Sequence, residues 1–138
     1  MFNKLQDAEK QALAHAAAKA RLSAYAPYSK FLVGAALLAN DGTIITGCNV
    51  ENASFGATCC AERTAIFKAV SSGIKEFKAI AVSLLGGGTP CGICRQVINE
   101  FHPNLPVIYA DEAGNVLGES TLGLLLPDAF GPHNLEKV

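Results

Sequence analysis

The sequence contains little charge and no long apolar run. Only 17% of its 138 residues are Asp, Glu, Lys or Arg, against about 25% in typical globular domains. Its 11 basic and 12 acidic residues nearly cancel, so it lacks the basic excess with which proteins hold the phosphate backbone of nucleic acids. No apolar stretch reaches the roughly 18 residues of a membrane span. These shortages exclude nucleic acid and membranes as expected partners and favour a small, weakly charged substrate.

Half of the residues are hydrophobic, which is high for a chain with so few charges. Part of the surface is therefore expected to face another subunit. The first twenty residues alternate charged and apolar side chains and lack the apolar core of a secretion signal. The odd number of cysteines cannot pair off completely in disulfides, so a cytoplasmic location with thiol or metal chemistry is expected. They are Cys48, Cys59, Cys60, Cys91 and Cys94.

Hydrophobic periodicity and turn signals predict one domain over residues 1–138, the size at which a core forms without disulfides. Helical spacing or composition predicts four helices, and apolar runs between turn signals predict five strands. The predicted helices cover residues 4–24, 60–70, 91–101 and 121–126, and the predicted strands cover 31–39, 43–50, 77–85, 107–110 and 116–120.

The order of these elements predicts an α/β fold. The Asp41-Gly42 turn joins the first two strands as an antiparallel hairpin. Helix and strand then alternate twice, which implies crossovers that bring parallel strands together under a helical cover. We therefore expect a three-layer αβα sandwich around a five-stranded mixed sheet.

Two cysteine motifs open the second and third predicted helices. Cys60 begins one helix, and Cys91 and Cys94 begin the other. Helices that follow parallel strands start at the same edge of the sheet, so the three thiols are expected to converge. Thiolates are soft ligands that suit zinc, and helix N-termini favour the thiolate form. Three protein ligands leave a tetrahedral ion open to water, as in catalytic zinc sites.

Glu62 is the predicted proton carrier of this site, because it lies two residues beyond Cys60 in the same helical turn. Zinc lowers the pKa of a bound water to about 7, and a nearby carboxylate can then accept the proton. Three thiolates around Zn²⁺ leave one negative charge, which weakens the pull of the ion on water. Arg63 and the two helix dipoles are expected to offset that charge.

Other interpretations of the cysteines stay open on the residues alone. A Cys-x-x-Cys pair can also be a redox dithiol. A closed structural zinc site could recruit Cys48 or Cys59, although adjacent residues at a helix start point in different directions. A non-catalytic zinc module and a deaminase of polynucleotides or nucleoside antibiotics are further alternatives. Against them stands the order Cys-Ala-Glu, then Pro-Cys-x-x-Cys about thirty residues later, which matches a deaminase signature with Cys in place of His.

The chain resembles the small homotetrameric cytidine deaminases, whose zinc is held by three cysteines. The likeness spans nearly all residues, from the blocks 25–31 and 33–37, through 47–52 and 60–64, to 90–96 and 125–127. It implies a cytidine deaminase-like fold, one Zn²⁺ per subunit, and hydrolytic deamination of cytidine and deoxycytidine to uridine and deoxyuridine in pyrimidine nucleoside salvage. It also implies self-association as a homotetramer.

The resemblance further implies how a nucleoside would be held. Asn49 and Glu51 would hydrogen-bond the ribose, Phe31 would pack against the pyrimidine, and the backbone around Ala61 would read the base edge. Val50 lies between the two ribose contacts and is assigned to the same site. Neighbouring subunits would supply residues matching Ala53, Ser54, Phe55 and Phe130, although family members commonly carry Tyr where this chain has Phe55.

Overall fold

The structure, a computed structural model, describes residues 5–136. A short 3₁₀ turn, Phe55–Ala57, precedes the second helix. In chain order the elements are α1 (Asp7–Arg21), β1 (Gly34–Ala39), β2 (Ile44–Cys48), α2 (Ala61–Ser71), β3 (Phe77–Ser83), α3 (Gly92–Phe101), β4 (Pro106–Ala110), β5 (Val116–Thr121), α4 (Leu122–Leu125) and α5 (Pro132–Leu135).

The strands form a single five-stranded mixed sheet in the order β2-β1-β3-β4-β5. β1 pairs antiparallel with both β2 and β3, so those two outer neighbours run in the same direction. β3 and β4 pair in parallel, and β5 returns antiparallel to β4. Both α2 and α3 therefore connect strands that run the same way. The mixed sheet, its hairpin and its parallel crossovers are confirmed.

Helices cover both faces of the sheet, as the burial of β1 on both sides shows. Ala36 and Leu38 of this strand pack with α1. Leu37, between them, faces the other way and packs with α2 and α3. Successive side chains of a strand point to opposite faces of the sheet, so a strand in which every residue is apolar and buried needs a helical layer on each face. The predicted three-layer αβα sandwich is confirmed.

Two glycines let the helices approach the sheet closely. A Cβ built on Gly34 would lie 1.9 Å from the carbonyl oxygen of Ala17 in α1. A Cβ built on Gly47 would lie 2.5 Å from the amide nitrogen of Ala65 in α2. Neither position tolerates a side chain without moving backbone. The second contact sets the height of α2 above β2, and with it the place where α2 begins.

Some predicted boundaries were wrong, for identifiable reasons. The first helix ends at Arg21 and not near residue 24, and Lys4, where it was predicted to start, lies outside the described residues. β1 begins at Gly34 and not at residue 31, because the Asn49 side chain takes the hydrogen bonds of Phe31 and Val33. These bonds replace strand pairing.

Two further corrections concern the later part of the chain. β3 ends at Ser83 and not at residue 85, because Gly86 and Gly87 turn the chain with φ of 76° and 77°. The helix predicted over residues 121–126 is α4, but it is not the last, since α5 follows at Pro132–Leu135. The remaining predicted boundaries agree with the structure within two residues. Among residues 5–136, no helix combines the length and apolarity that a bilayer crossing requires.

Candidate functional site

Three cysteine sulfurs meet where α2 and α3 begin. Cys60 is the N-terminal cap residue of α2, and Cys91 is that of α3. Cys94 lies in the first turn of α3 and is fully buried. Because β2 and β3 run in the same direction, the helices that follow them start at one edge of the sheet. The predicted convergence of the three thiols is therefore present.

The spacing of the sulfurs suits a zinc ion. The three Sγ atoms lie within 4.8 Å of one another, and those of Cys60 and Cys91 are 3.7 Å apart. Tetrahedral Zn–S bonds of about 2.3 Å place two sulfurs about 3.8 Å apart. Among the described residues, neither Cys48 nor Cys59 belongs to the cluster. The donor set thus fits an ion with three thiolate ligands and one open position.

Hydrogen bonds around Cys60 prepare a thiolate. The pKa of Cys60 falls to about 5 because the Cys94 thiol donates to it, with further support from Arg63 and Cys91, and burial opposes the shift. The same contact raises the pKa of Cys94, its donor. The lowered pKa favours the thiolate form of Cys60, which is the form that binds a metal ion.

Arg63 lies beside the cluster in the first turn of α2. Its Nη2 is 3.4 Å from the Cys60 Sγ and 3.5 Å from the carbonyl oxygen of Thr58. The side chain is half-buried, and its Nε finds no partner among residues 5–136. A cation next to a thiolate ligand is in the right place to offset the negative charge of the site.

Glu62 is buried beside the cysteines, with 3% of its surface exposed, and its carboxyl interacts with Cys60 and Cys94. Burial raises the pKa of its carboxyl to about 6, and the negative charge of Cys60 adds to the rise. A carboxyl poised near neutral pH can both accept and return a proton. The position and the pKa of Glu62 therefore suit a general acid and base next to the metal.

Asn49 and Glu51 organise the segment that precedes β1. The buried Asn49 accepts a hydrogen bond from the Val33 amide at 2.9 Å and donates one to the Phe31 carbonyl at 2.9 Å. The Glu51 carboxylate accepts from the amides of Tyr28 and Ser29 at 3.0 Å and also from the Ser29 hydroxyl. These bonds lower the pKa of Glu51, the Ser29 hydroxyl most of all.

A cavity of about 440 Å³ opens beside Glu51. Phe55 lines it and packs edge-to-face against Tyr28, with 6.0 Å between the ring centres. Sequence reasoning did not single out Tyr28 or Ser29, although both lie in the block 25–31 that carries part of the family likeness. Their hydrogen bonds to a carboxylate 22 or 23 residues away leave no local sequence signal.

The remaining predicted residues fall into two groups. Ala61 is fully buried at the start of α2, whereas Phe31 and Val50 are partly exposed. Four residues predicted to serve a neighbouring subunit are exposed in the single chain: Ala53, Ser54, Phe55 and Phe130. Phe130 lines a second cavity, of about 490 Å³, between α3 and α5.

Comparison with known proteins identifies this arrangement. The model of the cytidine and deoxycytidylate deaminase zinc-binding region matches residues 7–110. A cytidine deaminase of Sporosarcina psychrophila is 55% identical over 120 residues, which cover 85% of this chain and 88% of that protein. One from Halalkalibacterium halodurans is 48% identical over 129 residues, covering 92% and 98%.

The fold comparison agrees. The crystal structure of a cytidine deaminase from Burkholderia pseudomallei superposes with a TM-score of 0.83 at 50% identity, over 91% of this chain and all of that one. The matched region spans both cysteine motifs and Glu62. The chain belongs to the cytidine and deoxycytidylate deaminase family, with zinc as its cofactor and Cys60, Cys91 and Cys94 as the cluster able to hold it.

Proposed function

We propose that this chain deaminates cytidine and deoxycytidine by hydrolysis, giving uridine or deoxyuridine and ammonia. One observation carries the proposal: the buried carboxyl of Glu62, with a pKa of about 6, lies beside a cluster of three thiols able to hold a metal ion. The relatives named cytidine deaminase support the same substrate. The expected role is salvage of pyrimidine nucleosides in the cytoplasm.

The mechanism assigns a step to each residue. Cys60, Cys91 and Cys94 would hold the zinc ion, which when bound would supply an acidified water as nucleophile. Glu62 would accept a proton from the water that adds to C4 of the base and would pass that proton to N3. Glu62 then takes a proton from the new hydroxyl group and delivers it to the departing amine, so that ammonia leaves and the C4 carbonyl forms. Its pKa of about 6 suits both directions of transfer.

Nucleoside binding is assigned to Glu51, which lines the cavity of about 440 Å³, and to four further residues: Phe31, Asn49, Val50 and Ala61. Among residues 5–136 the Asn49 amide donates one of its two N–H groups, to the Phe31 carbonyl, and Glu51 keeps lone pairs beyond the three hydrogen bonds that it accepts. These groups are suited to the hydroxyls of ribose. By the same proposal, Phe31 packs on the base, the backbone of Ala61 reads its edge, and Val50 belongs to the same site.

Self-association is proposed as the way in which the site is completed. Phe55 and Phe130 are 76% and 60% exposed in the single chain. Each ring lines a cavity, Phe55 the one beside Glu51 and Phe130 the one between α3 and α5, and exposed aromatic rings are costly in water and favourable between subunits. A homotetramer in which neighbouring chains contribute Ala53, Ser54, Phe55 and Phe130 explains both this exposure and the low charge of the sequence.

The test is the fall in ultraviolet absorbance as zinc-loaded protein converts cytidine to uridine, run beside gel filtration. Deoxycytidine should react as well, and a cytosine-containing oligonucleotide should not compete, because the near-neutral chain offers no basic channel. A zinc-loaded, tetrameric protein that leaves cytidine unchanged would contradict the proposal and favour a zinc module without catalytic function.

A further inference from the structure

The side chain of Arg95 joins the loop before Cys91 to the end of another helix. Its Nε donates to the Pro90 carbonyl at 2.7 Å, and its Nη2 donates to the Thr89 hydroxyl at 2.8 Å. Its Nη1 donates to the carbonyl of Leu125, the last residue of α4, at 2.7 Å. All three nitrogens of the guanidinium group are thus engaged. None of them contacts a cysteine sulfur.

Cys91 is the ligand that most needs such support. It is exposed, whereas Cys94 is fully buried and Cys60 is half-buried. It follows a run of glycines that includes Gly86 and Gly87 with positive φ, and Gly92 follows it with open space around its Cα. Packing of its own side chain therefore contributes little to the position of this sulfur, which depends on the backbone between the buried Pro90 and the start of α3.

The hydrogen bond to Pro90 acts directly on the position of Cys91. The Pro90 carbonyl and the Cys91 amide belong to one planar peptide unit. Fixing that carbonyl oxygen fixes the plane, and with it the Cα from which the Cys91 side chain extends. Arg95 is well suited to this task, because its planar fork donates in several fixed directions at once.

The two arginines near the cysteines consequently differ in what they touch. Arg63 contacts the Cys60 sulfur itself at 3.4 Å. Arg95 contacts only oxygen atoms, two from the loop before Cys91 and one from α4. The guanidinium group of Arg95 donates to backbone and hydroxyl oxygens, so Arg95 would act on the metal through the position of Cys91.

We propose that Arg95 is a positioning residue, which holds Cys91 in place for the metal and anchors the Cys91 loop to the end of α4. The inference builds on the zinc site of the proposed function but concerns metal retention. Residues that orient metal ligands typically contribute about 10-fold to 100-fold in metal affinity. Loss of Arg95 should therefore weaken zinc binding by a factor in that range.

The experiment compares R95M, R95K and wild-type protein in zinc competition against a chromophoric chelator. K68M is the matched control, because Lys68 is an exposed cation on α2, far in sequence from the loop before Cys91. We expect R95M to bind zinc about 10-fold to 100-fold more weakly than wild type. R95K should lose less affinity than R95M, because its ammonium group can still reach some of the three oxygens. K68M should match wild type.

A second measurement separates positioning from general stability. In the cobalt-substituted protein, R95M should show a weaker thiolate-to-metal charge-transfer band as Cys91 leaves the ion, a change that a general loss of stability, followed by urea unfolding of the metal-free protein, would not produce. Wild-type zinc affinity in both R95M and R95K would overturn the proposal, and so would a charge-transfer band of wild-type intensity in metal-loaded R95M. If R95M does not fold, R95K decides alone. None of these readouts involves cytidine, so failure of the proposed reaction would be seen separately.

Discussion

The metal cluster differs in position from the residues proposed to contact the nucleoside, which are called the rim below. The cysteines and Glu62 come from two helix starts packed on the central strands, and Glu62 is 3% exposed. The aromatic residues of the rim, Phe31, Phe55 and Phe130, lie outside the long helices and the strands and are 42%, 76% and 60% exposed. The cluster is buried within a single chain, whereas the rim presents apolar rings to water.

This difference indicates separate roles for the two regions, proton transfer at the cluster and substrate recognition at the rim. Proton transfer tolerates little displacement, so its groups lie on rigid elements with dense packing. Recognition of a small substrate can use loops whose apolar side chains become buried only on assembly or binding. We therefore expect changes at the cluster to act on kcat and changes at the rim to act mainly on KM.

The largest effect is expected for E62Q. The amide keeps the size of Glu62 but cannot carry the proton, so kcat should fall by at least about 100-fold. Zinc content, measured after metal release, should stay at one ion per chain. E76Q, an exposed carboxylate outside the site, serves as the control. Native activity in zinc-loaded E62Q would remove the basis for the proton-carrier assignment.

The comparison becomes sharper with F130A. Loss of an aromatic contact to the nucleoside should lower kcat/KM about tenfold, mostly through KM, without loss of zinc. L22A, which truncates another exposed apolar side chain at the end of α1, should have no such effect. A drop in kcat alone, or loss of zinc, would mean that the rim is not separate from the cluster.

Subunit exchange between E62Q and F130A tests whether Phe130 serves the site of its own chain or that of a neighbouring chain. If Phe130 serves a neighbouring chain, some sites in the mixed tetramer contain both native residues. Activity of the mixture should then exceed the average of the two separate variants. A mixture that shows only that average after proven exchange would place Phe130 and Glu62 in the same chain's site.

A stability effect of intermediate size is expected for N49A. Asn49 is buried and pairs with the Val33 amide and the Phe31 carbonyl, which would lose their partners. Unpaired buried polar groups of this kind cost about 1–3 kcal/mol. Urea unfolding of the metal-free protein measures the change. Unchanged stability would show that the rim is not organised through Asn49.

The smallest effect concerns the Glu51 carboxylate. Its pKa is lowered chiefly by the Ser29 hydroxyl, so the charged form stabilises the fold above the unfolded pKa of about 4.3. That contribution disappears as the pH falls through the lower pKa of the folded state. The stability difference between wild type and E51Q should therefore shrink on acidification from pH 6 to about pH 3, as unfolding titrations can show. A constant difference would exclude the charge as its cause.

Most of the fold could be predicted because its signals are local. The Asp41-Gly42 turn predicted the hairpin, and the cysteine motifs predicted two helix starts within one residue. The early predicted start of β1 was wrong because Asn49, 16 residues from Val33, takes over its hydrogen bond. Periodicity cannot report a side chain that replaces strand pairing from elsewhere in the chain. For the same reason the contacts of Tyr28 and Ser29 with Glu51, and that of Arg95 with Leu125, had no sequence signal.

The sequence by itself determined the chemistry, because thiol and carboxyl groups at helix starts have defined spacing along the chain. Cys60, Glu62, Cys91 and Cys94 were identifiable on that ground. Only the tertiary structure decided how close the sulfurs lie, how deeply Glu62 is buried, and which backbone groups hold Cys91. Those quantities depend on the packing of α2 and α3 against the sheet, where groups distant in sequence meet. Burial is what moves the pKa of Glu62 to about 6.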